Sequence, residues 1–204
     1  MVLFQASWFA AVLGAARGML WLGPVVMIPT LAIHLALQEN RRGEVKLLLV
    51  AGLLGFLFDT LFVAGGVFTP LQHHFPRPFS PPWMICLWLN FAATLNVSMA
   101  WLRGRYLLAT AFGAVGGPLA YYSGAKLGAT VALPTTTGML LLVIGWGLMT
   151  PLLVWLANQF NSRKMNFLIL IFLLTSYEPV LAVTCTPTFI CEQAAEAETE
   201  YVVP

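Results

Sequence analysis

Long apolar runs separated by short charged loops dominate this sequence, and they restrict its fold more than any motif does. The stretch Leu47–Val67 contains one charged side chain, that of Asp59, and Gly138–Ala157 contains none. A bilayer core of about 30 Å is crossed by roughly 20 helical residues. Because lipid offers no hydrogen-bonding partners, each run must satisfy its own backbone groups, and this requirement favours α-helices.

The composition of the chain leads to the same fold class. Charged residues make up 9% of the chain and hydrophobic residues 59%, and the mean hydropathy is +0.83. Soluble domains carry about 25% charged residues, and a chain this poor in charge cannot cover a water-facing surface. We therefore predict an all-α fold, a polytopic transmembrane bundle of six or seven helices. Nucleic acid is not an expected partner, because the ten Lys and Arg residues are spread over separate loops.

The apolar runs divide the chain into three predicted parts. Residues 1–164 form a helical membrane domain with six spans. Residues 165–183 form either a seventh span or a signal-like anchor, because a basic start and a short apolar core precede Glu178 and Pro179. Residues 184–204 form an acidic tail with two cysteines. The predicted segments are Val2–Ala16, Met19–Leu37, Leu47–Val67, Trp83–Leu102, Tyr106–Ala129, Gly138–Ala157 and Asn166–Val183.

Basic residues are unevenly divided between the two ends of the predicted helices. Because Lys and Arg in short loops favour the cytoplasmic side, we predict a multi-pass protein of the bacterial inner (plasma) membrane with a cytoplasmic N-terminus. The cytoplasmic group comprises Arg41, Arg42, Lys46, Arg103, Arg105, Arg163 and Lys164, and the opposite group comprises Arg17, Arg77 and Lys126.

The tail cysteines would face the outer side of that membrane if residues 166–183 span it. Cys185 and Cys191 form the pattern "CTPTFIC". A disulfide can persist on the oxidising side. Two free thiols are an equally open alternative, because sequence does not test disulfide geometry.

Small residues are concentrated on single faces of two predicted helices. Such faces allow two membrane helices to approach closely. Pro118 is predicted to bend the fifth helix, so that "GGPLAYYSG" is either a broken, cavity-lining stretch or a kinked packing helix. The predicted packing residues are Gly52, Gly55, Gly113, Gly117, Ala120, Gly124 and Gly128.

One acidic residue inside an apolar helix is the principal candidate for a functional site. Asp59 and Asn90 lie at a similar predicted depth on antiparallel helices, about 10 Å below one surface, so we predict a hydrogen bond between them. Thr94 shares the stripe of Asn90, and Tyr121 or Tyr122 is a further candidate member. An intramembrane acid is a functional hypothesis by default. The alternative is a structural polar contact.

The sequence predicts no catalytic residues, no metal site and no cofactor. It contains no Walker loop, dinucleotide glycine fingerprint, HExxH or GxSxG pattern. His73 and His74 are adjacent and have no Cys, Asp or Glu nearby, so a surface loop is favoured over a metal site.

Three blocks, "GFLFDTLFVAGGVF", "PPWMICLWLNFAATLNVSMAWLRGR" and "GAVGGPLAYYSGAKLGA", carry a family resemblance. The chain from Val2 to Ala157 resembles small proteobacterial inner-membrane proteins known only as a domain of unknown function, family 2878. Relatives of this family are found near genes of fatty-acid and membrane-lipid modification, which implies a lipid-linked role. The residues from Met165 onward do not resemble it. The positions that the resemblance highlights are Asp59, Trp83, Trp88, Asn96, Gly117, Pro118, Tyr121 and Gly124.

Together these features predict a non-enzymatic small permease or lipid-linked accessory built around Asp59 and Asn90. Membrane lipid is the expected partner, and a partner membrane helix or a second copy of the chain is a further candidate. Two alternatives remain open. The first is a membrane-embedded enzyme of lipid modification, and the second is a scaffold whose glycine face binds a partner membrane protein.

Overall fold

The computed structural model of the chain describes residues 2–71, 76–131 and 134–161, which form six α-helices and one short 3-10 helix. The all-α prediction is confirmed for these residues. The predicted segment Asn166–Val183 lies outside them, as do Cys185 and Cys191. The helices are α1 (Val2–Ala16), α2 (Leu22–Leu37), α3 (Arg41–Ala64), α4 (Pro82–Leu95), α5 (Tyr106–Lys126) and α6 (Thr136–Asn161), and the 3-10 helix is Ala100–Leu102.

Two of the described helices, α3 and α6, are long and apolar enough to cross a membrane by length and composition. Only 39% of the apolar window of α3 and 33% of that of α6 is buried inside the protein. The helices α1, α2 and α4 are apolar but shorter. The observed bounds of α1 coincide with the predicted segment, whereas α3 begins six residues earlier than predicted, at Arg41 rather than Leu47.

Aromatic rings fill the contact between α3, α4 and α6. The indoles of Trp88 and Trp146 stack with a centroid distance of 4.5 Å and an interplanar angle of 8°. The ring of Phe58 meets their edges at 5.4 Å and 6.1 Å. Offset and edge-to-face aromatic pairs contribute about 0.5–1.5 kcal/mol beyond the area that they bury, so this cluster fixes the three helices relative to one another.

Two glycines make room for these indoles. A Cβ atom at Gly55 of α3 would overlap the Trp88 ring, and one at Gly117 of α5 would overlap the Trp146 ring. In the same way, a Cβ at Gly113 would overlap Thr150 of α6. The glycine face of α5 is therefore covered, at Gly113 and Gly117, by α6 of the same chain.

The remaining predicted packing residues have different surroundings. A Cβ at Gly52 would meet Leu89 of α4 at 3.1 Å, which places Gly52 in a close helix contact. Ala120 is half-buried. Gly124 is buried, yet a Cβ there would meet nothing within 4 Å. Gly128 lies beyond the end of α5 with a φ of +87°, a left-handed conformation that favours glycine.

One prediction about helix continuity is wrong. The segment Trp83–Leu102 is not a single helix, because α4 ends at Leu95. There the Met99 N–H donates to the Thr94 carbonyl at 2.9 Å, which closes a turn and leaves Asn96 outside the helix. Of the two alternatives for the stretch around Pro118, the packing helix agrees with the structure, since α5 is continuous from Tyr106 to Lys126.

The loops after α3 and α5 are joined at one end of the fold. The Leu71 N–H donates to the Ala129 carbonyl at 3.0 Å, and the Val131 N–H donates to the Thr69 carbonyl at 2.8 Å. These bonds hold the end of α5 next to the end of α3. As a result, Asp59 and Tyr121, each five residues before the end of its helix, lie towards the same end of the fold.

The close contact of α5 with α6 predicts unequal effects of alanine at two adjacent glycines. Gly117→Ala should lower the free energy of unfolding by about 1–3 kcal/mol, because the added methyl overlaps the Trp146 ring. Gly116→Ala is the matched control, since its Cβ would have no neighbour closer than 3.9 Å. The measurement is SDS-induced unfolding from mixed micelles. Equal midpoints for the two variants would contradict the described packing.

Candidate functional site

The Asp59 carboxyl is fully buried and accepts hydrogen bonds from two other helices. The Trp88 indole N–H of α4 donates to Oδ2 at 2.8 Å. The Tyr121 hydroxyl of α5 donates to Oδ1. Both carboxyl oxygens are therefore engaged, and one side chain joins α3, α4 and α5.

The surrounding packing explains why these two donors reach Asp59. Gly55 lies one helical turn before Asp59 and admits the Trp88 ring against α3. The ring of Phe68 meets the Tyr121 ring edge-on at a centroid distance of 4.9 Å. Both donors are thus held by aromatic contacts in addition to their bonds to the carboxyl.

The predicted hydrogen bond between Asp59 and Asn90 is not formed. The Asn90 amide instead donates to the Phe4 carbonyl of α1 at 2.9 Å. Because helical residues are about 100° apart, Trp88 and Asn90 point about 200° apart. When α4 turns Trp88 towards Asp59, Asn90 necessarily faces α1. Thr94 is also absent from the site, since its hydroxyl donates to the Phe91 carbonyl at 2.6 Å.

The structure distinguishes the two adjacent tyrosines. Tyr121 contacts Asp59, whereas the Tyr122 side chain is 41% exposed. The Lys126 ammonium lies 5.6 Å from the centroid of the Tyr122 ring, within the range of a cation–π contact. Of the sequence-predicted polar residues, the structure therefore brings together Asp59 and Tyr121.

Trp88 belongs to the site although residue-type reasoning did not select it. Its indole looks like an apolar filler in a helix of this composition, and only the family resemblance highlighted the position. A usable signal was nevertheless present, because a buried tryptophan N–H needs an acceptor. The Asp59 carboxyl of α3 lies at about the same predicted depth as Trp88 and could have been identified as that acceptor.

A large cleft adjoins this cluster. Its volume is about 820 Å³, and its walls come from α1, α4, α5 and α6, with Asp59 of α3 at its floor. Apart from this carboxyl, the walls are predominantly apolar and aromatic. Representative lining residues are Phe4, Trp8, Phe68, Leu87, Phe91 and Phe112.

Two residues of α6 that line the same cleft carry buried polar atoms with no hydrogen bond of normal geometry among the described residues. These atoms are the Trp146 Nε1 and the Thr150 Oγ1. Most buried polar groups in proteins are paired, so an unpaired one requires an explanation such as a bound molecule. Sequence reasoning missed both residues, because neither interrupts the apolar pattern of its helix.

A second polar cluster lies near the start of α3 and the end of α4, away from Asp59. Glu44 is fully buried, and it accepts a hydrogen bond from the Asn96 amide at 2.5 Å and contacts the His34 Nε2 at 3.2 Å. The Arg103 guanidinium donates to the Asn96 Oδ1 at 2.7 Å. The sequence-based prediction placed Glu44 in a loop. The spacing of Glu44 from the buried residues Leu47, Leu48 and Ala51 could have shown that it continues their helix face.

Within the described ranges, no group of three His, Cys, Asp or Glu side chains is placed to hold a metal ion. His73 and His74 lie outside those ranges. The acidic residues of the two polar clusters are engaged by the protein's own Trp, Tyr, Asn and His side chains.

Comparison with known proteins gives one match. A family model described as "Protein of unknown function (DUF2878)" matches residues 1–152. No curated protein and no solved structure matches the chain.

The two tyrosines provide a matched test of the Asp59 cluster. Tyr121→Phe should lower the free energy of unfolding by about 1–3 kcal/mol, because the buried carboxyl loses one of its two donors. Tyr122→Phe, at an exposed position, should leave it nearly unchanged. SDS-induced unfolding of the purified variants measures both effects. A Tyr122→Phe loss as large as that of Tyr121→Phe would show that the hydroxyl contact is not the cause.

The second cluster predicts a similar contrast within one turn. Asn96→Ala should lower the free energy of unfolding by about 1–3 kcal/mol, because it removes a donor to the buried Glu44 and an acceptor from Arg103. Ser98→Ala changes a half-buried side chain of the same turn and serves as the control. If both variants unfold at the wild-type SDS concentration, the Glu44 network does not contribute to stability.

Proposed function

Given that the chain belongs to the family described as "Protein of unknown function (DUF2878)", we propose that it is a multi-pass membrane protein. In this proposal it binds one lipid-class molecule within the bilayer and does not convert it chemically. The binding site is the cleft beside Asp59. The role is that of a lipid-linked accessory, and membrane lipid is the partner.

The membrane location is supported by apolar stripes on the two long helices. On each helix, exposed large side chains recur every four residues, which places them on one outward face. A contiguous apolar surface of this kind is unfavourable in contact with water, whereas in a bilayer it contacts acyl chains. On α3 the stripe is Leu49, Leu53, Leu57 and Leu61, and on α6 it is Leu140, Ile144, Leu148 and Leu152.

The proposed orientation follows from the loops at one end of the fold. Bonds between the Asn40 amide and the Phe160 carbonyl and between Asn96 and Glu44 gather the ends of α3, α4 and α6 there. The same end carries the described members of the larger basic group, which are Arg41, Arg42, Lys46, Arg103 and Arg105. We assign it to the cytoplasmic side of a bacterial inner membrane, with the N-terminus on that side.

The short helices are compatible with this arrangement. At 1.5 Å per residue, the 14 residues of α4 extend about 21 Å, which is less than the hydrocarbon core. A bilayer adapts to short apolar segments by thinning locally at modest cost. The six helices of the described residues would then all lie within or across a thinned bilayer.

Binding is favoured over catalysis by the state of the acidic group. Asp59 provides the one carboxyl among the described lining residues, and both of its oxygens already accept hydrogen bonds from the protein. A general base needs an oxygen within hydrogen-bonding reach of the reacting proton. In this geometry the carboxyl instead positions Trp88 and Tyr121 at the wall of the cleft.

The scaffold alternative loses its proposed surface. In that alternative the glycine face of α5 binds a partner helix, but Gly113 and Gly117 of this face pack against Thr150 and Trp146 of α6. The permease alternative is less favoured than the accessory because exposed apolar side chains, such as Phe9 and Leu119, line the cleft and connect it to the outer apolar surface. A sideways opening is suited to exchange with lipid.

The observation on which the proposal depends is the cleft itself. Ligand sites typically have volumes of about 300–1,000 Å³ and combine apolar walls with a few polar groups. The volume of about 820 Å³ and the buried polar floor fit this pattern.

A cleft-filling variant tests this proposal. Gly124 lines the cleft and a Cβ atom there would meet nothing within 4 Å, so Gly124→Leu should extend into ligand space and leave the fold intact. We expect wild-type protein to retain about one lipid molecule after detergent washing and the variant to retain it about tenfold more weakly. Native mass spectrometry of the purified protein measures the occupancy.

Ala111→Leu is the control, because Ala111 is exposed on α5 outside the cleft. The proposal fails if wild type and Gly124→Leu retain the same lipid equally. A deletion strain with unchanged lipid composition but altered solute uptake would support the permease instead.

A further inference from the structure

The two unpaired groups of α6 lie together at the floor of the cleft. Trp146 and Thr150 are four residues apart and therefore share one face of the helix. The Trp146 side chain is 8% exposed and the Thr150 side chain 0%. Both are positioned by the small residues of α5, because Gly117 admits the indole and Gly113 admits the threonine.

We propose that these groups bind the polar end of an uncharged, single-chain amphiphile, such as a long-chain alcohol or ester. The ligand oxygen accepts a hydrogen bond from the Trp146 N–H, the Thr150 hydroxyl or both, and the chain extends along the apolar walls. The inference rests on the proposed lipid-binding function and adds the class of ligand and its direction in the cleft.

The hydrogen bonds already made around the site indicate that the ligand presents an acceptor oxygen to the Trp146 N–H. The neighbouring acceptor, the Asp59 carboxyl, accepts one hydrogen bond at each oxygen, from Trp88 and Tyr121, and none from Trp146 or Thr150. The Trp146 N–H can only donate, and although the Tyr121 hydroxyl lies near it, it makes no hydrogen bond of normal geometry within the described residues, so a ligand oxygen can serve as its acceptor. Leaving such a donor unpaired in a buried position is costly, and a ligand oxygen removes that cost.

The absence of a basic group at the floor indicates that the bound end is uncharged. Among the described lining residues, Lys126 is the basic one, and it is exposed beside the Tyr122 ring. The acidic residue of the lining, Asp59, lies at the floor itself. A phosphate or carboxylate placed at the floor would be buried next to this carboxyl without a cation, which is strongly unfavourable.

The packing of the helices provides an entry route from the acyl layer. Helix α1 packs against α2 and α4, whereas α5 packs against α6, and the cleft lies between these two groups. Exposed apolar side chains flank the opening: Phe9 on α1 is 46% exposed, and Phe112 and Leu119 on α5 are 40% and 56% exposed. A ligand dissolved in the bilayer can therefore enter sideways without passing through water.

Tryptophan quenching by brominated probes tests the ligand class. The full chain is placed in phosphatidylcholine nanodiscs with Trp21, Trp101 and Trp155 replaced by Phe, because these three indoles are exposed away from the cleft. The probes are dibromostearyl alcohol, methyl dibromostearate, dibromo-octadecane and dibromostearate. The remaining indoles, all of which line the cleft, are Trp8, Trp83, Trp88 and Trp146.

We expect the alcohol and the ester to quench half-maximally at a mole fraction about tenfold lower than dibromo-octadecane, as one buried hydrogen bond would give. Thr150→Val should reduce this preference to about threefold or less, because it removes the hydroxyl and keeps the shape. Thr137→Val, at an exposed position near the start of α6, should leave it unchanged. If Thr150→Val does not insert, Trp146→Phe replaces it and should show the same loss of preference.

Three outcomes would overturn the inference. Equal quenching by the alcohol and dibromo-octadecane would show that the unpaired groups do not contact the ligand. Tightest binding of the charged dibromostearate would place the polar end at Lys126 instead. An unchanged alcohol preference in both Thr150→Val and Trp146→Phe would assign it to other groups. The failure of every probe to quench the cleft indoles would instead refute the proposed lipid binding itself.

Discussion

A carboxyl buried in a long apolar helix is the constraint on which this structure depends. Placing an acidic side chain at the centre of a membrane helix costs about 2.5–3.5 kcal/mol on insertion scales. In this protein the cost is offset because Trp88 and Tyr121 donate to the two oxygens of Asp59. One polar group therefore joins α3, α4 and α5, and in the proposed bilayer location apolar contacts alone would discriminate only weakly between helix orientations.

The cleft is a consequence of how large and small side chains are divided around that group. Indoles and phenyl rings fill the space between α3, α4 and α6, and the glycines of α5 let α6 approach on one side. On its other side α5 has no comparable partner, so a volume remains between α5 and α1. The Asn90 bond to the Phe4 carbonyl holds the far wall in place. The same packing that satisfies Asp59 thus leaves a predominantly apolar cleft next to it.

Apolar periodicity was sufficient to predict the all-α fold and most helix positions, and the isolated acid identified Asp59 as the residue to explain. Its partner could not be predicted from spacing. Helix α4 carries polar groups on several sides, and the rotation that Trp88 requires turns Asn90 towards α1. Glu44 was missed because charged residues were taken as the boundary of the third segment. The end of α4 at Leu95 could not be predicted from hydropathy, because the turn that ends the helix lies within a stretch that remains apolar.

The most direct measurement of the Asp59 contact is the NMR signal of the Trp88 indole proton in tryptophan-labelled protein. With the hydrogen bond at 2.8 Å, the signal should lie downfield and exchange with deuterium far more slowly than that of Trp101, which is 49% exposed. In Asp59→Leu it should shift upfield and lose protection, whereas Asp59→Asn should retain much of both. A Trp88 signal that is unchanged by Asp59→Leu would contradict the contact around which the helices are arranged.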